Sequence, residues 1–182
     1  MHHSTPFELQ PTLSNNRLTL RPMQYEDFDA LYAIASDPLI WAQHPDANRH
    51  QKDVFERQFF NPAFTGSGAL VVVDNDTCQL VGSSRFYDWD AASGEVAVGY
   101  TFLARHCWGG PTNASMKQLM LTHAFQWANT VWFHVGASNF RSRKAMEKLG
   151  AVKKGEEEVA YFGEPSRWNF VYEIRRPADA FS

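Results

Sequence analysis

Residues 94–136 constrain the fold more than any other part of the chain. The stretch "GEVAVGYTFL" (94–103) reads as a strand, with Val96, Val98 and Tyr100 on one face and Glu95, Ala97 and Gly99 on the other. "ARHCWGGPTN" follows, with two adjacent glycines and a proline. From Met116 the apolar positions run 116, 119, 120, 123, 124, 127 and 128, the strongest periodic signal in the sequence and that of an amphipathic helix. "VWFHVGA" (131–137) is a second strand. A strand–loop–helix–strand crossover returns the chain in its starting direction, so at least one strand pair is parallel.

The flanking segments complete a mixed α/β order. "RLTLRP" (17–22) alternates, with Leu18 and Leu20 on one face, and predicts a strand. "QYEDFDALYAIASDP" (24–38) places Phe28, Leu31, Tyr32 and Ala35 at helical spacing, and residues 51–60 predict a shorter helix. "GALVVV", "DNDT" and "CQLVGSSRFY" predict a hairpin over 68–87. "SNFRSRKAMEKLGA" holds a short helix closed by Gly150. Two strands, near 152–162 and 167–175, flank the turn "GEPS". The expected architecture is a central mixed β-sheet flanked by helices, in a single domain. The 182 residues suffice for one domain with a real core and are too few for two.

Charge and composition narrow the function. A net charge of −3 and the lack of a basic stripe argue against nucleic acid as a partner. No apolar run approaches the length of a membrane span, and "MHHSTPFELQ" has no apolar stretch of a signal peptide. Cys78 and Cys107 form no metal-ligand spacing, so no metal is expected, and a reducing cytoplasm is the simplest setting. The 14 phenylalanines and 6 tryptophans imply a bulky core or a partly aromatic cleft.

The glycine pair opens the long helix. Helix N-termini expose unpaired N–H groups and a partial positive charge, so Gly109, Gly110 and the amides of Thr112 and Asn113 are suited to a phosphate. The spacing is neither that of a Walker loop nor that of a dinucleotide fingerprint. A plain turn is the competing reading.

Taken in order, "RLTLRP…ED", "VGYTFL", the glycine loop, the long helix and "NFRSRKAMEKLGA" resemble the GNAT superfamily of N-acetyltransferases over roughly residues 15–175. The branch that looks nearest includes the ribosomal-protein N-terminal acetyltransferases, and "WGGPTNASMK" resembles one of its subgroups. The resemblance implies acetyl-CoA as acyl donor and an amine as acceptor. It implies that Gly109, Gly110, Thr112 and Asn113 hold the pyrophosphate, with Trp108 anchoring their loop. It further implies that Phe102, Leu103 and Asn139 meet the pantetheine arm and that Arg141, Arg143 and Lys144 meet the outer phosphates. A solvated basic helix face is the alternative for those three cations. Homodimers are common in such folds, and no residue here demands one.

Acyl transfer to an amine requires that the amine lose a proton and that the thiolate leave. Glu95 is the candidate base and Ser142 the candidate acid. Glu95 also reads as a solvent-facing strand-end acid, and Ser142 as a helix cap. His134 reads as a core histidine, with a place facing the substrate cleft as the alternative, His123 reads as packed, and nothing in the sequence activates Cys107 as a nucleophile. Trp41, Trp89 and Tyr87 fall where the acceptor wall is expected, with core packing as the default reading for aromatics. Relative to the family pattern, Pro111 stands in place of glycine, Ala97 and Ser115 in place of glutamates, and Met146 in place of tyrosine. These departures support a second reading, in which the domain binds CoA or a protein with its catalysis impaired.

Overall fold

Two apolar cores lie on opposite faces of one eight-stranded sheet in the computed structural model, which describes residues 6–66, 68–160 and 166–179. The strands are β1 (Leu13–Ser14), β2 (Leu18–Pro22), β3 (Ala69–Asp74), β4 (Leu80–Asp90), β5 (Glu95–Leu103), β6 (Thr130–Gly136), β7 (Val152–Val159) and β8 (Arg167–Arg175). Their order is β1-β2-β3-β4-β5-β6-β8-β7. Every neighbouring pair is antiparallel except β5–β6, the parallel pair that the crossover requires. The helices are α1 (Phe28–Ala35), α2 (Pro38–Trp41), α3 (Lys52–Phe55), α4 (Pro62–Thr65), α5 (Thr112–Ala124) and α6 (Phe140–Lys148). The turn expected at 163–166 lies, apart from Ser166, outside the described residues.

The helix expected over 24–38 is divided. A 3-10 turn at Tyr25–Asp27 leads into α1, and α2 starts afresh at Pro38. The Asp37 carboxylate accepts the N–H of Leu39 at 3.0 Å, and the proline stands at the first helical position, where a missing N–H costs least. The helix expected over 51–60 is α3 plus one wide turn closed by the Asn61 N–H on the Glu56 carbonyl at 2.9 Å.

One core packs α5 on the sheet and contains Leu18, Leu20, Phe86, Val96, Val98, Met116 and Met120. The other packs α1–α4 on the opposite face and contains Leu31, Trp41, Phe55, Phe59, Val71 and Phe102. Burial of each large apolar side chain contributes roughly 1.5–3 kcal/mol.

The alternation expected along β5 holds at Val96 and Val98 and fails at Tyr100. Ser83 faces Phe102 and Arg85 faces Gly99, so β5 carries an extra residue there. Tyr100 takes a φ of 52°, and its ring turns to the α1–α4 side, over the Arg85 guanidinium (4.2 Å) and against Tyr87 (centroids 5.2 Å). After the bulge Phe102 belongs to the second core and Leu103 to the first. The bulge also lies where β5 and β6 part: they pair only from Glu95–Ala97 to Thr130–Trp132. Beyond those residues a gap opens between two parallel strands, and the glycine loop and α6 stand at its mouth.

Candidate active site

The gap widens into two adjoining cavities. The larger, about 320 Å³, lies between the end of β5, the glycine loop and α6. It is lined by Phe102, Leu103, Trp108, Gly109, Gly110, Asn113, Asn139, Arg141, Ser142 and Lys144, all expected from sequence, and by Lys148, which was not. The smaller, about 130 Å³, lies deeper, between the bulged part of β5 and the end of β6. The two share Trp41, His44, Thr101, Asn113, Asn139, Ser142 and Ala145, so they form one continuous cleft.

The loop at the mouth is built by local chemistry. Trp108 donates its ring N–H to the Leu103 carbonyl at 3.0 Å, which ties the loop to β5, and Arg141 stacks on the same ring at 3.6 Å. Gly109 has a φ of +72°, a conformation that favours glycine, and a Cβ at Gly110 would meet only the Cys107 carbonyl, at 3.7 Å. α5 has no side-chain cap, so its first amides remain available at the larger cavity. Pro111 stands at the start of α5. It takes a helical φ of −82°, its carbonyl accepts the Ser115 N–H at 2.9 Å, and both residues line a separate depression beside Thr12–Asn15. Thr112, at the start of α5, is not among the residues lining either cavity, whereas Cys107 lines the larger one. Burial pushes the Cys107 thiol upward in pKa, which disfavours a nucleophilic thiolate.

On α6 the three expected cations divide. Arg141 and Lys144 line the larger cavity together with Lys148, and no carboxylate lines it among the described residues. Arg143 points elsewhere: it donates to the Ala137 carbonyl at 2.9 Å and lies over Phe170 at 4.3 Å. Asn139, not Ser142, caps this helix, its side chain accepting the Ser142 N–H at 3.2 Å. Ser142 therefore lines both cavities free of the capping role. A basic cavity at an uncapped helix N-terminus, continued by a slot between parting strands, fits a phosphate-bearing ligand with a long arm.

Glu95 is not brought to the cleft. It begins β5, beside Asp90 and Thr130, about 13 Å along the strand from Gly99 at ~3.3 Å per residue. His134 instead lines the deeper cavity, with Nδ1 2.7 Å from a Glu157 carboxylate oxygen on β7. The strand alternation carried this signal, since Val131, Phe133 and Val135 fill the α5 core and leave His134 on the other face. His44 is held neutral, its pKa pushed down to about 3 chiefly by burial and then by Arg49; its Nδ1 accepts the Asp46 N–H at 3.0 Å. Trp41 lines both cavities, and Tyr87 packs near Gly99 and His134. Trp89 packs on Phe7 in the α5 core instead of joining the acceptor wall. His123 is packed as expected, its Nε2 2.7 Å from the Glu8 carbonyl.

A further residue had no role at the sequence level. Lys117, on the second turn of α5, is buried, and its Nζ donates to the Thr101 hydroxyl at 2.8 Å in the deeper cavity. Burial pushes its pKa down to about 7.

The mixed sheet with its parting strands and glycine-led helix is matched by a family of acyltransferase enzymes. The chain belongs to the acetyltransferase (GNAT) domain family, whose model matches residues 17–152. It is 26% identical over 150 residues to the uncharacterized N-acetyltransferase p20 of Bacillus licheniformis, covering 79% of this chain and 84% of that one. Its fold is that of a GCN5-related N-acetyltransferase from Brucella melitensis (TM-score 0.79, 16% identity, 93% of this chain and 80% of the other). It is also that of a spermidine N-acetyltransferase from Vibrio cholerae, solved with CoA and spermine (TM-score 0.66, 17% identity, 88% and 96%). Among the described residues no helix is long and apolar enough to cross a membrane, and no cluster of His, Cys, Asp and Glu is arranged to hold a metal.

Proposed function

We propose that this protein moves an acetyl group from acetyl-CoA to a primary amine by direct attack in a ternary complex. The observation that carries this reading is the continuous cleft, basic at the glycine loop and reaching His134 at its deep end. Acetyl-CoA supplies the acetyl group as an activated thioester. The amides at Gly109, Gly110 and Asn113, with Arg141, Lys144 and Lys148, hold phosphate oxygens at the mouth. The edge of β5 at Phe102–Leu103 that faces away from β4, and the Asn139 side chain, align the arm in the gap. Trp41 and Tyr87 border the acceptor end.

His134 accepts the proton that the amine sheds, and the Glu157 carboxylate, 2.7 Å from Nδ1, stabilises the charge that forms. Glu95 takes no part in this scheme, because it lies at the other end of β5. A buried thiol at Cys107 favours direct attack over an acetyl-cysteine. The acceptor classes to be compared are protein N-termini, amino acids and polyamines. Thiol release from acetyl-CoA is measured with spermidine, glycinamide and a peptide beginning with serine. Amine-dependent release with at least one of them is expected. Binding of acetyl-CoA with no amine-dependent release would favour a CoA-binding module instead.

A further inference from the structure

Departure of a thiolate from a thioester needs a proton, and Ser142 was the only donor that sequence reasoning supplied. The waist of the cleft, where the two cavities meet, offers a better one. Lys117 enters the smaller cavity from α5, beside Thr101, which lines both cavities, and is 3% exposed. Among the described residues its Nζ makes one side-chain hydrogen bond, to Thr101, whose own hydroxyl is held by Ser84 at 2.9 Å. Phe133 lies beneath it at 5.7 Å, and Met146 of α6 lines the same cavity. An ammonium group in such a place is costly, because burial disfavours charge and no carboxylate lines this cavity among the described residues. A purely structural position here would be filled more stably by methionine or leucine.

We propose that Lys117 is a catalytic residue of acyl transfer, the general acid that protonates the departing thiolate. The inference rests on the acetyltransferase reading of the cleft. In the step, the amine nitrogen bonds to the carbonyl carbon and the carbon–sulfur bond breaks. The sulfur takes a proton from the Lys117 ammonium, and the proton released by the amine passes to His134. Proton exchange with solvent then resets both groups. Thr101 is a positioning residue: its hydroxyl aims Nζ at the waist.

Other titratable and charged groups around Nζ are few. His44 and Arg49 reach the cavity from the α2–α3 segment, Tyr100 from β5 and His134 from β6; α6 contributes none there. His44 is neutral throughout the working range. An alkaline limb in turnover near neutrality therefore reports Lys117, whose pKa burial has lowered into that range.

The test compares wild type with Lys117→Met and Thr101→Val, using the acceptor with the fastest thiol release from the panel above. Lys117→Met is expected to lower kcat about 100-fold and abolish the alkaline limb, with the acetyl-CoA Kd unchanged within threefold. Thr101→Val is expected to lower kcat about tenfold. In the protein without ligand, 15N NMR of Lys117 is expected to show titration near neutrality. A kcat for Lys117→Met within threefold of wild type, a retained limb, or a Lys117 that titrates at its ordinary value near 10.5 would each overturn the assignment. If wild type itself releases no thiol with any amine, the acetyltransferase reading fails; a fast Lys117→Met enzyme refutes only the role of Lys117.

Discussion

Replacing Lys117 by methionine is expected to stabilise the protein while it disables the enzyme. Burial pushes the ammonium pKa from 10.5 to about 7. At 1.36 kcal/mol for each pH unit of displacement, carrying this amine into the fold costs ~4 kcal/mol near pH 7. Methionine keeps the side-chain length and gives up the Nζ–Thr101 bond, a loss of about 1 kcal/mol. The net gain is about 3 kcal/mol, or roughly 6–12 °C in Tm for a chain of this size. The pH dependence follows from the sign of the shift. The folded pKa lies below the unfolded one, so between pH 7 and 10.5 the unfolded state binds more protons, and wild-type stability rises with pH. The advantage of the variant is therefore largest at and below pH 7 and fades toward pH 10. Thermal melts of both proteins at pH 6.5, 8 and 9.5 measure it. A variant less stable than wild type, or an advantage that does not change with pH, would refute the claim that burial of the charge dominates at this position.

Arg141→Ala is expected to weaken acetyl-CoA binding about tenfold, while Arg143→Ala leaves it unchanged, because only Arg141 lines the cleft; calorimetric titrations separate the two. His134→Gln is expected to reduce kcat about 100-fold with little change in acetyl-CoA affinity, and Glu95→Gln to leave both unaltered; steady-state kinetics check the contrast. Arg21 and Asp27 form a two-pronged ion pair at 2.8 and 2.9 Å. Partial burial works to raise the Asp27 pKa, but the hydrogen bonds from Arg21 and the Gln24 amide outweigh it and hold the carboxyl below its usual value. The pair thus stabilises the fold above the ordinary carboxylate pKa and is lost as pH falls through the lowered one. Asp27→Asn should flatten acid unfolding in that window, as followed by circular dichroism.

The crossover was legible because its signals are local: an alternating strand, adjacent glycines and a helical stripe lie within one continuous stretch. The opening of the sheet was not, since the bulge at Tyr100 depends on the register of β4, which no periodicity in β5 reveals. The basic residues of α6 were counted together, although helical steps of about 100° place 141, 144 and 148 on one face and 143 away from it. His134 was within reach of strand alternation, and the preference for a core histidine hid it. Lys117 adjoins Met116 at the edge of the apolar stripe of α5, so its burial was visible in outline. Its partners, Thr101 and Phe133, come from two other strands, and only the fold brings them together. Pro111 counted in sequence as a departure from the family pattern; in the structure it lines a separate depression beside Thr12–Asn15.

The most direct test of the cleft as an acetyl-CoA site is calorimetric titration of the protein with acetyl-CoA at moderate salt, with Gly110→Glu in parallel. A Cβ at this position meets only the Cys107 carbonyl within 4 Å, at 3.7 Å, so the fold should survive while the added carboxylate repels phosphate. Micromolar binding by wild type, lost in a variant with an unchanged melting temperature, is the predicted result. Absence of wild-type binding up to millimolar acetyl-CoA, or equal affinity in the variant, would contradict the account.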